Sequence, residues 1–379
     1  MDKLIIGLLF FALLSFGCIE EVYDYQKNSP PEYETTPPTT IPPVTTSAPR
    51  TTHPPATTGP PDTSTISGTS KKIDYGESFT RKFTWSYGGR DWWMKLNFYD
   101  EVYDYYEDRT RQRDYDLFAS DPYDDEIIKS LADVFTDVGE SYGLDKYEIP
   151  LLAVSFIQSL PYTSDNVTTG YDNYPRFPYE TLYDNGGDCE DTSILAAAIL
   201  LEMGYGAVLI ELPYHMAVGV KCTSDIPGRS YNYQGDRYCY LETTGEDWDV
   251  GQMPEEYKNL SATIKPIYKR PYLDIDFTYK YRYNNFGTYV DVDATVTNLG
   301  SETARNTKIY IALQTPDTSM VWDEITSDGL QILPETEYDY KVTDLHAPTG
   351  KTFRVYAKAW GGSAVSGEAV SGWTTWTSK

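Results

Sequence analysis

Histidine and cysteine are both scarce in this chain. Its 379 residues include three histidines, His53, His215 and His346, and four cysteines. Chemistry that depends on an imidazole or a thiol therefore has very few places in which to occur. The histidine and cysteine spacing that is typical of zinc sites is absent, so we expect the chain to bind no metal and to need no cofactor.

Positive charge is also in short supply. The chain has 31 lysines and arginines against 57 aspartates and glutamates, which gives a formal net charge of -26. A polyanion of this kind repels nucleic acids and anionic lipids, so neither is expected as a partner. The acidity suits an exposed protein that has to stay soluble.

The N-terminal apolar run is too short to span a membrane. Residues 4–17 fall short of the roughly 20 apolar residues that a spanning helix needs. The run fits the apolar region of a signal peptide, so residues 1–17 are predicted to be one. Residues 14–18 resemble a lipobox, which predicts a lipid on Cys18. An uncleaved N-terminal anchor is the alternative, and either attachment places the remainder on the extracellular face of the cell membrane.

Residues 18–72 are predicted to form a stalk behind that anchor. Threonine, proline and serine dominate the sequence from residue 28 to residue 70, a composition that cannot bury a core and that stays extended. His53 lies in this segment and is therefore not expected to be catalytic. Glycosylation sequons begin at Asn166 and Asn259, which agrees with an extracellular location.

Residues 73–269 have the pattern of an α+β domain. Apolar residues recur at helical spacing in residues 126–138 and 149–160. A turn at residues 185–188 precedes a third helix, which is apolar nearly all round and is expected to be buried at the centre of the domain. Three strands are predicted after that helix, at residues 208–212, 216–222 and 238–243.

Residues 270–379 have the pattern of an all-β domain. Apolar and polar residues alternate from Val290 to Val296, and several further short strands separated by turn signals predict a β-sandwich. Residues 296–304 resemble an immunoglobulin-like repeat of prokaryotic surface proteins. His346 precedes Ala347 and Pro348 and is expected in a solvated loop. The sequence does not indicate the role of this domain.

The cysteines divide into three groups. Cys18 belongs to the predicted anchor. Cys222 and Cys239 flank a polar loop between two predicted strands, which would bring them within reach of a disulfide. Cys189 is left alone, and a lone thiol in a secreted protein is a candidate for reactivity. A buried, inert thiol or one that pairs with another cysteine is the alternative.

Cys189 lies where a thiol can be activated. It opens the predicted central helix, whose positive end favours a thiolate. We expect its pKa to fall from roughly 8.5 into the range of about 3.5–7.5. His215 is the one histidine of this domain and opens a strand, and Glu242 lies in the next predicted strand, where it can orient the imidazole.

These residues resemble the motifs of the transglutaminase-like cysteine peptidase superfamily. The likeness covers residues 151–245, about a third of the folded chain. The family usually has aspartate where this chain has Glu242, and Asp247 or Asp249 is the alternative third member. The resemblance implies a papain-like α+β core in which the cysteine helix packs on an antiparallel sheet. The matching stretches are residues 186–193, 213–220 and 240–244.

The resemblance also implies acyl transfer. The Cys189 thiolate would attack an amide carbonyl, and His215 would give a proton to the leaving amine. The oxyanion would be held by the backbone N–H of Cys189 and by Gln158, unless Gln158 has only a structural role. We expect a peptidase or amidase that acts on a protein or peptide substrate, with cell-surface proteins among the candidates. The alternatives are a protein-crosslinking transglutaminase and an inactive surface adhesion or binding protein.

Overall fold

A computed structural model gives the fold of most of the chain. The predicted signal peptide, Cys18, His53 and Asn166 lie outside the described residues. Within the part that the structure describes, no helix has both the length and the apolarity needed to cross a membrane. The described residues are 19–24, 69–70, 76–109, 111, 114–164, 174–284, 286–317 and 320–375.

The helices all lie in the first half of the described chain. Two single 3₁₀ turns, Pro122–Asp124 and Glu255–Tyr257, accompany them. The α-helices are α1 (Asp100–Glu107), α2 (Tyr115–Ala119), α3 (Asp125–Ser141), α4 (Glu148–Gln158), α5 (Pro178–Asp184) and α6 (Cys189–Glu202).

The strands occur in both halves of the chain. They are β1 (Ile19–Asp24), β2 (Thr69–Ser70), β3 (Ser78–Tyr87), β4 (Arg90–Tyr99), β5 (Ala207–Leu212), β6 (His215–Lys221), β7 (Ser230–Tyr233), β8 (Asp236–Leu241), β9 (Thr263–Pro266), β10 (Leu273–Asn284), β11 (Gly287–Asn298), β12 (Ala304–Gln314), β13 (Val321–Thr326), β14 (Leu330–Ile332), β15 (Thr336–Ala347), β16 (Thr352–Trp360), β17 (Gly367–Val370) and β18 (Thr374–Thr375).

Helix α6 is the centre of the first domain. Its residues from Glu190 to Leu200 are all buried, because the run of alanine, isoleucine and leucine offers apolar side chains on every side. It packs in one core with α3, α4 and the hairpin of β3 and β4, and with β5 and β6 of a five-stranded antiparallel sheet. The strand order of that sheet is β7-β8-β6-β5-β9. The domain is therefore α+β, as the sequence predicts.

A buried ion pair holds the N-terminal end of α6. Arg176 and Asp191 are both fully buried, and Arg176 Nη1 lies 2.5 Å from Asp191 Oδ2. The backbone N–H of Arg176 donates to Asp191 Oδ1 at 2.7 Å, and the backbone N–H of Asp188 donates to Asp191 Oδ2 at 3.1 Å. Arg176 Nε also contacts Asp184 at 3.0 Å. One side chain thus ties α5, α6 and the segment before them together.

The second domain consists of two packed antiparallel sheets. One has the order β10-β11-β15-β2 and the other β13-β12-β16-β17, with β14 paired to β12 and β18 to β16. Their inner faces share one apolar core, in which Val290 and Val296 are buried as their alternation predicts. The change from the first domain to this one falls between β9 and β10. The immunoglobulin-like character of the sandwich stays a prediction.

The structure corrects the placement of His346. His346 was expected in a loop, but it lies inside β15 and its Nε2 contacts the Phe286 carbonyl oxygen at 3.1 Å. Pro348, after the strand end, was the signal that suggested the loop. Within the predicted stalk, residues 18–72, two short stretches are strands: β1 pairs with β4 and β2 pairs with β15.

The Asp191→Ala variant tests the role of the buried ion pair. Removal of the carboxylate leaves the Arg176 charge buried without its main partner, and we expect a loss of about 3–5 kcal/mol in the free energy of unfolding. Urea unfolding followed by circular dichroism measures the loss. The control is Asp133→Ala, which removes the exposed pair between Lys129 and Asp133. If both variants unfold at the same urea concentration, the ion pair does not hold the helix end.

Candidate active site

Cys189 is the first residue of α6, as predicted, and it is half-buried and free of any disulfide. Two glycines deliver it there. Gly186 has φ of +150°, and a Cβ on it would lie 2.4 Å from the Pro161 carbonyl oxygen. A Cβ on Gly187 would lie 2.5 Å from Asp191, so no larger residue fits there while the ion pair is in place. The glycine pair therefore lets the chain turn closely under the head of the helix.

His215 is the first residue of β6 and is 7% exposed. It pairs with Leu212 across a tight turn of Pro213 and Tyr214, in which Tyr214 has φ of +63°. Proline followed by a residue with positive φ is the pattern of a type II turn. The backbone N–H of Met216, the next residue, forms a hydrogen bond with the Cys189 sulfur. The start of β6 therefore lies against the head of α6.

Glu242 follows the end of β8 and is 1% exposed. Its Oε2 lies 2.9 Å from His215 Nε2 and accepts from the Tyr240 hydroxyl at 2.6 Å. Its Oε1 accepts from the Thr244 hydroxyl at 2.7 Å and from the backbone N–H groups of Thr243 and Thr244, both at 3.1 Å. Burial works to raise the pKa of Glu242, but the hydrogen bond and charge of His215 and the hydroxyl donors outweigh it and lower that pKa.

The ionised Glu242 decides the orientation of the imidazole. A carboxylate only accepts hydrogen bonds, so His215 Nε2 carries the proton of this contact. The Nδ1 atom is then the ring nitrogen that can accept a proton from a thiol. Asp249, one of the two alternative acids, instead exchanges hydrogen bonds with Gln252 at 3.1 and 3.3 Å.

Tyr257 covers one face of the imidazole. Its ring centroid lies 4.1 Å from that of His215, and the two planes differ by 8°. Tyr257 ends the 3₁₀ turn after Pro254, far along the chain from His215. The sequence analysis did not identify this residue, because nothing in the local pattern of Glu255 to Tyr257 indicates a contact with β6.

The sulfur of Cys189 has a different partner from the one expected. It donates to Glu190 Oε2 at 3.2 Å, and Glu190 is itself buried. Burial and the negative charge of Glu190 raise the pKa of Cys189 well above its ordinary value, although the N–H of Met216 works against them. The prediction of a lowered pKa was therefore wrong for this arrangement. The helix end favours a thiolate, but a carboxylate one residue away opposes it.

Gln158 does not serve as an oxyanion donor in this structure. Its Nε2 donates to the backbone oxygen of Glu242 at 2.9 Å and to that of Trp248 at 3.0 Å. An amide nitrogen has two hydrogens, and both are used. Gln158 therefore joins the end of α4 to the segment that carries Glu242, and its predicted catalytic role is replaced by a structural one.

Tyr162 is a second residue near the sulfur that the sequence analysis did not identify. It forms an isolated bridge with Gly187, and the backbone N–H of Thr163 donates to the Gly187 carbonyl oxygen at 2.9 Å. Burial and the charges of Cys189, Asp188 and Glu190 raise the pKa of Tyr162 to about 12. Its hydroxyl is thus a neutral donor at working pH. Pro161, which precedes Tyr162 and follows the end of α4, was the only local signal of a change in chain direction there.

Three neighbouring side chains could hold a cation. The ligand atoms of Asp188, Cys189 and Glu190 all lie within 4.8 Å of one another. Carboxylate oxygens suit hard cations and a thiolate suits softer ones. The expectation that the chain binds no metal and no cofactor stays a prediction.

The remaining predicted sites lie away from Cys189. Cys222 and Cys239 form a disulfide with their Cα atoms 5.8 Å apart, and Arg237 Nη1 lies 3.1 and 3.2 Å from the two sulfurs. Asn259 is exposed, in the position that a glycan would need.

Comparisons with known proteins give weak likenesses. No protein-family model matches the chain, and no curated protein matches it. EGTA-treated LapG of Legionella pneumophila is 20% identical over 43% of this chain and 83% of its own, with a TM-score of 0.26. Red sea bream transglutaminase is 12% identical over 80% of this chain and 75% of its own, also with a TM-score of 0.26. At TM-scores this low, the likenesses carry no argument about fold or function.

The Glu242→Gln variant tests the charge of Glu242 through stability. Because its pKa is lowered by folding, Glu242 contributes fully above the ordinary glutamate pKa of about 4.3, and the contribution is lost as the pH falls below that value. We expect the melting temperature of the wild type to fall more steeply below about pH 4 than that of the variant. If the melting temperatures of the two proteins fall equally steeply with pH below about pH 4, the assignment of the charge to Glu242 is wrong.

The Glu190→Gln variant tests the contact with the thiol. Removal of a negative charge next to the sulfur favours the thiolate, so iodoacetamide should label Cys189 about 3- to 10-fold faster at pH 7. Mass spectrometry of the labelled peptide measures the rate. Glu211→Gln is the control, since Glu211 pairs with Lys265 on the sheet. Equal labelling rates in wild type and Glu190→Gln would show that Glu190 does not restrain the thiol.

Proposed function

We propose that the chain is a thiol acyl-transfer enzyme, a peptidase or amidase that acts through an acyl-enzyme on Cys189. The observation that carries the proposal is the 2.9 Å contact between His215 Nε2 and Glu242 Oε2, in a strand whose next residue, Met216, bonds the sulfur of a free, half-buried cysteine. A nucleophile, a base and a group that orients the base are the parts that such catalysis needs.

The first step moves one proton. The Cys189 thiol passes its proton to His215 Nδ1, and the thiolate attacks the carbonyl carbon of an amide. The resulting tetrahedral intermediate collapses as Nδ1 gives that proton to the leaving amine, which leaves a thioester on the sulfur. Water attacks the carbonyl carbon of the thioester while Nδ1 takes a proton from it. The carboxylic acid is then released, and the proton passes from Nδ1 to the sulfur, which restores the thiol. Glu242 stays ionised throughout and stabilises the imidazolium.

Developing negative charge on the substrate oxygen requires donors near the sulfur. The backbone N–H of Cys189 lies in the first turn of α6, where helix N–H groups have no partner within the helix. Tyr162 takes the place that Gln158 had in the sequence-based hypothesis, because its backbone forms a bridge with Gly187, two residues before Cys189. Donors of this kind stabilise the oxyanion more than the ground-state carbonyl.

Glu190 has to release the thiol before catalysis. The sulfur donates to Glu190 in this structure, so ion-pair formation with His215 requires the S–H bond to turn toward Nδ1. A substrate that covers Glu190, or a cation that neutralises it, would remove the opposing charge. The resting enzyme would then be a thiol, and activation would accompany binding.

Hydrolysis is the favoured outcome of the acyl-enzyme. Cys189 is only half-buried, and water is the nucleophile that is always present to attack the carbonyl carbon of a thioester there. A primary amine in place of water would make the same site a crosslinking transglutaminase. The adhesion or binding role is less favoured because the cysteine, histidine and acid are all present and two of them are in contact.

We further propose that the enzyme works on the extracellular face of the membrane, held by its N-terminal lipid or anchor. The disulfide between Cys222 and Cys239 supports an oxidising location, since such bonds are rare in the cytosol. The two-sheet domain is proposed to be immunoglobulin-like. A protein or peptide near the cell surface is the expected substrate.

Incubation of the protein with a glutamine-containing peptide and with unfolded casein tests the activity. Mass spectrometry separates hydrolysis from transfer, because an added primary amine gives an adduct only if crosslinking occurs. We expect hydrolysis, complete loss in Cys189→Ala, and a fall of about 10²–10⁴-fold in His215→Ala. Asp133→Ala, on an exposed face of α3, is the control. Amine adducts would favour crosslinking. If the wild type hydrolyses the substrates no faster than Cys189→Ala does, the enzyme proposal is wrong.

A further inference from the structure

Tyr257 has a contact that the proposed chemistry does not yet use. Its ring lies parallel to the His215 imidazole at a centroid distance of 4.1 Å. Tyr257 also packs against a small apolar cluster that includes Leu212 and Met253. Its backbone N–H also donates to the Pro254 carbonyl oxygen at 3.1 Å. The stacked ring therefore has packing contacts besides the one that it makes with the histidine.

The imidazole needs a second constraint besides Glu242. A single hydrogen bond at Nε2 fixes one atom of the ring but leaves the plane free to swing about that contact. A parallel ring at van der Waals distance removes that freedom, because any swing would collide with it. With Nε2 held by Glu242 and the plane held by Tyr257, the direction of Nδ1 is determined.

Tyr257 contributes a π face and no charge. Burial, and then the charges of Glu242, Glu256 and Cys189, raise its pKa, so the phenol stays neutral at working pH. A cation within about 6 Å of a tyrosine centroid is attracted to the negative face of the ring. The imidazolium that forms when Cys189 is ionised would lie inside that distance.

We propose that Tyr257 is a positioning residue of the thiol site, which holds the His215 ring in the plane that Glu242 requires and stabilises its protonated form. The inference rests on the proposed function for its catalytic meaning, but the contact can be tested without any substrate. The ionisable groups of every element packed around the pair have to be considered in that test. They are Tyr240 in β8, Glu242 after β8, Tyr162 before α5, Glu256 and Tyr257 in the second 3₁₀ turn, and Asp188, Cys189 and Glu190 at the head of α6.

Three variants separate the stacked ring from its other contributions. Tyr257→Phe keeps the aromatic face and loses the hydroxyl, whereas Tyr257→Leu keeps apolar volume and loses the face. Tyr231→Leu is the matched control, since Tyr231 packs against the same apolar cluster and its ring contacts Arg229. If Tyr257→Leu does not fold by circular dichroism, Tyr257→Met replaces it.

The first measurement is the rate at which iodoacetamide labels Cys189 as a function of pH. Loss of a cation over an aromatic face should slow labelling at pH 7 by about 2- to 30-fold in Tyr257→Leu. We expect Tyr257→Phe and Tyr231→Leu to label at the wild-type rate. The same slowing in Tyr231→Leu would mean that the cluster acts only through general stability, and the proposal would be wrong.

The second measurement is the exchange of the His215 Nε2 proton with water by NMR. Because the chain has three histidines, the His215 signal can be assigned in a chain that carries both His53→Gln and His346→Gln, and that chain is the reference for the variants. We expect faster exchange in Tyr257→Leu and unchanged exchange in Tyr257→Phe. Unchanged exchange and labelling in Tyr257→Leu would overturn the inference. Both readings apply even if the wild type hydrolyses no substrate, so failure of the proposed function and failure of this inference remain distinct.

Discussion

The buried ion pair between Arg176 and Asp191 is the constraint on which the site depends. Neither side chain is exposed, and the carboxylate also accepts the backbone N–H groups of Arg176 and Asp188. Burial of such a pair is costly unless each polar atom is satisfied, so its geometry is highly specific. The consequence is positional: the first turn of α6, which begins with Cys189, is fixed relative to α5 and to the segment that carries Arg176.

The chemistry of the site is a competition between two carboxylates. Glu242 favours a charged imidazole, because it is ionised, buried and hydrogen-bonded to His215. Glu190 opposes a charged sulfur, because it accepts the thiol hydrogen bond and adds a negative charge beside it. In the proposed mechanism, a thiolate and an imidazolium form together. Glu242 stabilises the imidazolium, whereas Glu190 disfavours the thiolate. In the proposed mechanism, the site therefore rests in its neutral form until the charge of Glu190 is offset.

The sequence predicted the central elements of the first domain well, because their signals are local. The apolar composition of α6 and the glycine pair before Cys189 both act within a few residues. The alternation from Val290 to Val296 did the same for β11. Short strands such as β7 and β9 were missed because a few half-buried residues give little periodicity. His346 was misplaced because proline after a strand resembles proline in a loop.

The sequence by itself determined which residues had to be considered: one free thiol at a helix start, one histidine in its domain and an acid after the next strand. Only the tertiary structure decided what each of them contacts. Gln158 donates to the backbone of Glu242, 84 residues away, and so is not free to act as an oxyanion donor. Tyr257 lies on His215 for the same reason. Contacts between distant segments depend on how helices and sheets pack, and no local pattern contains that information.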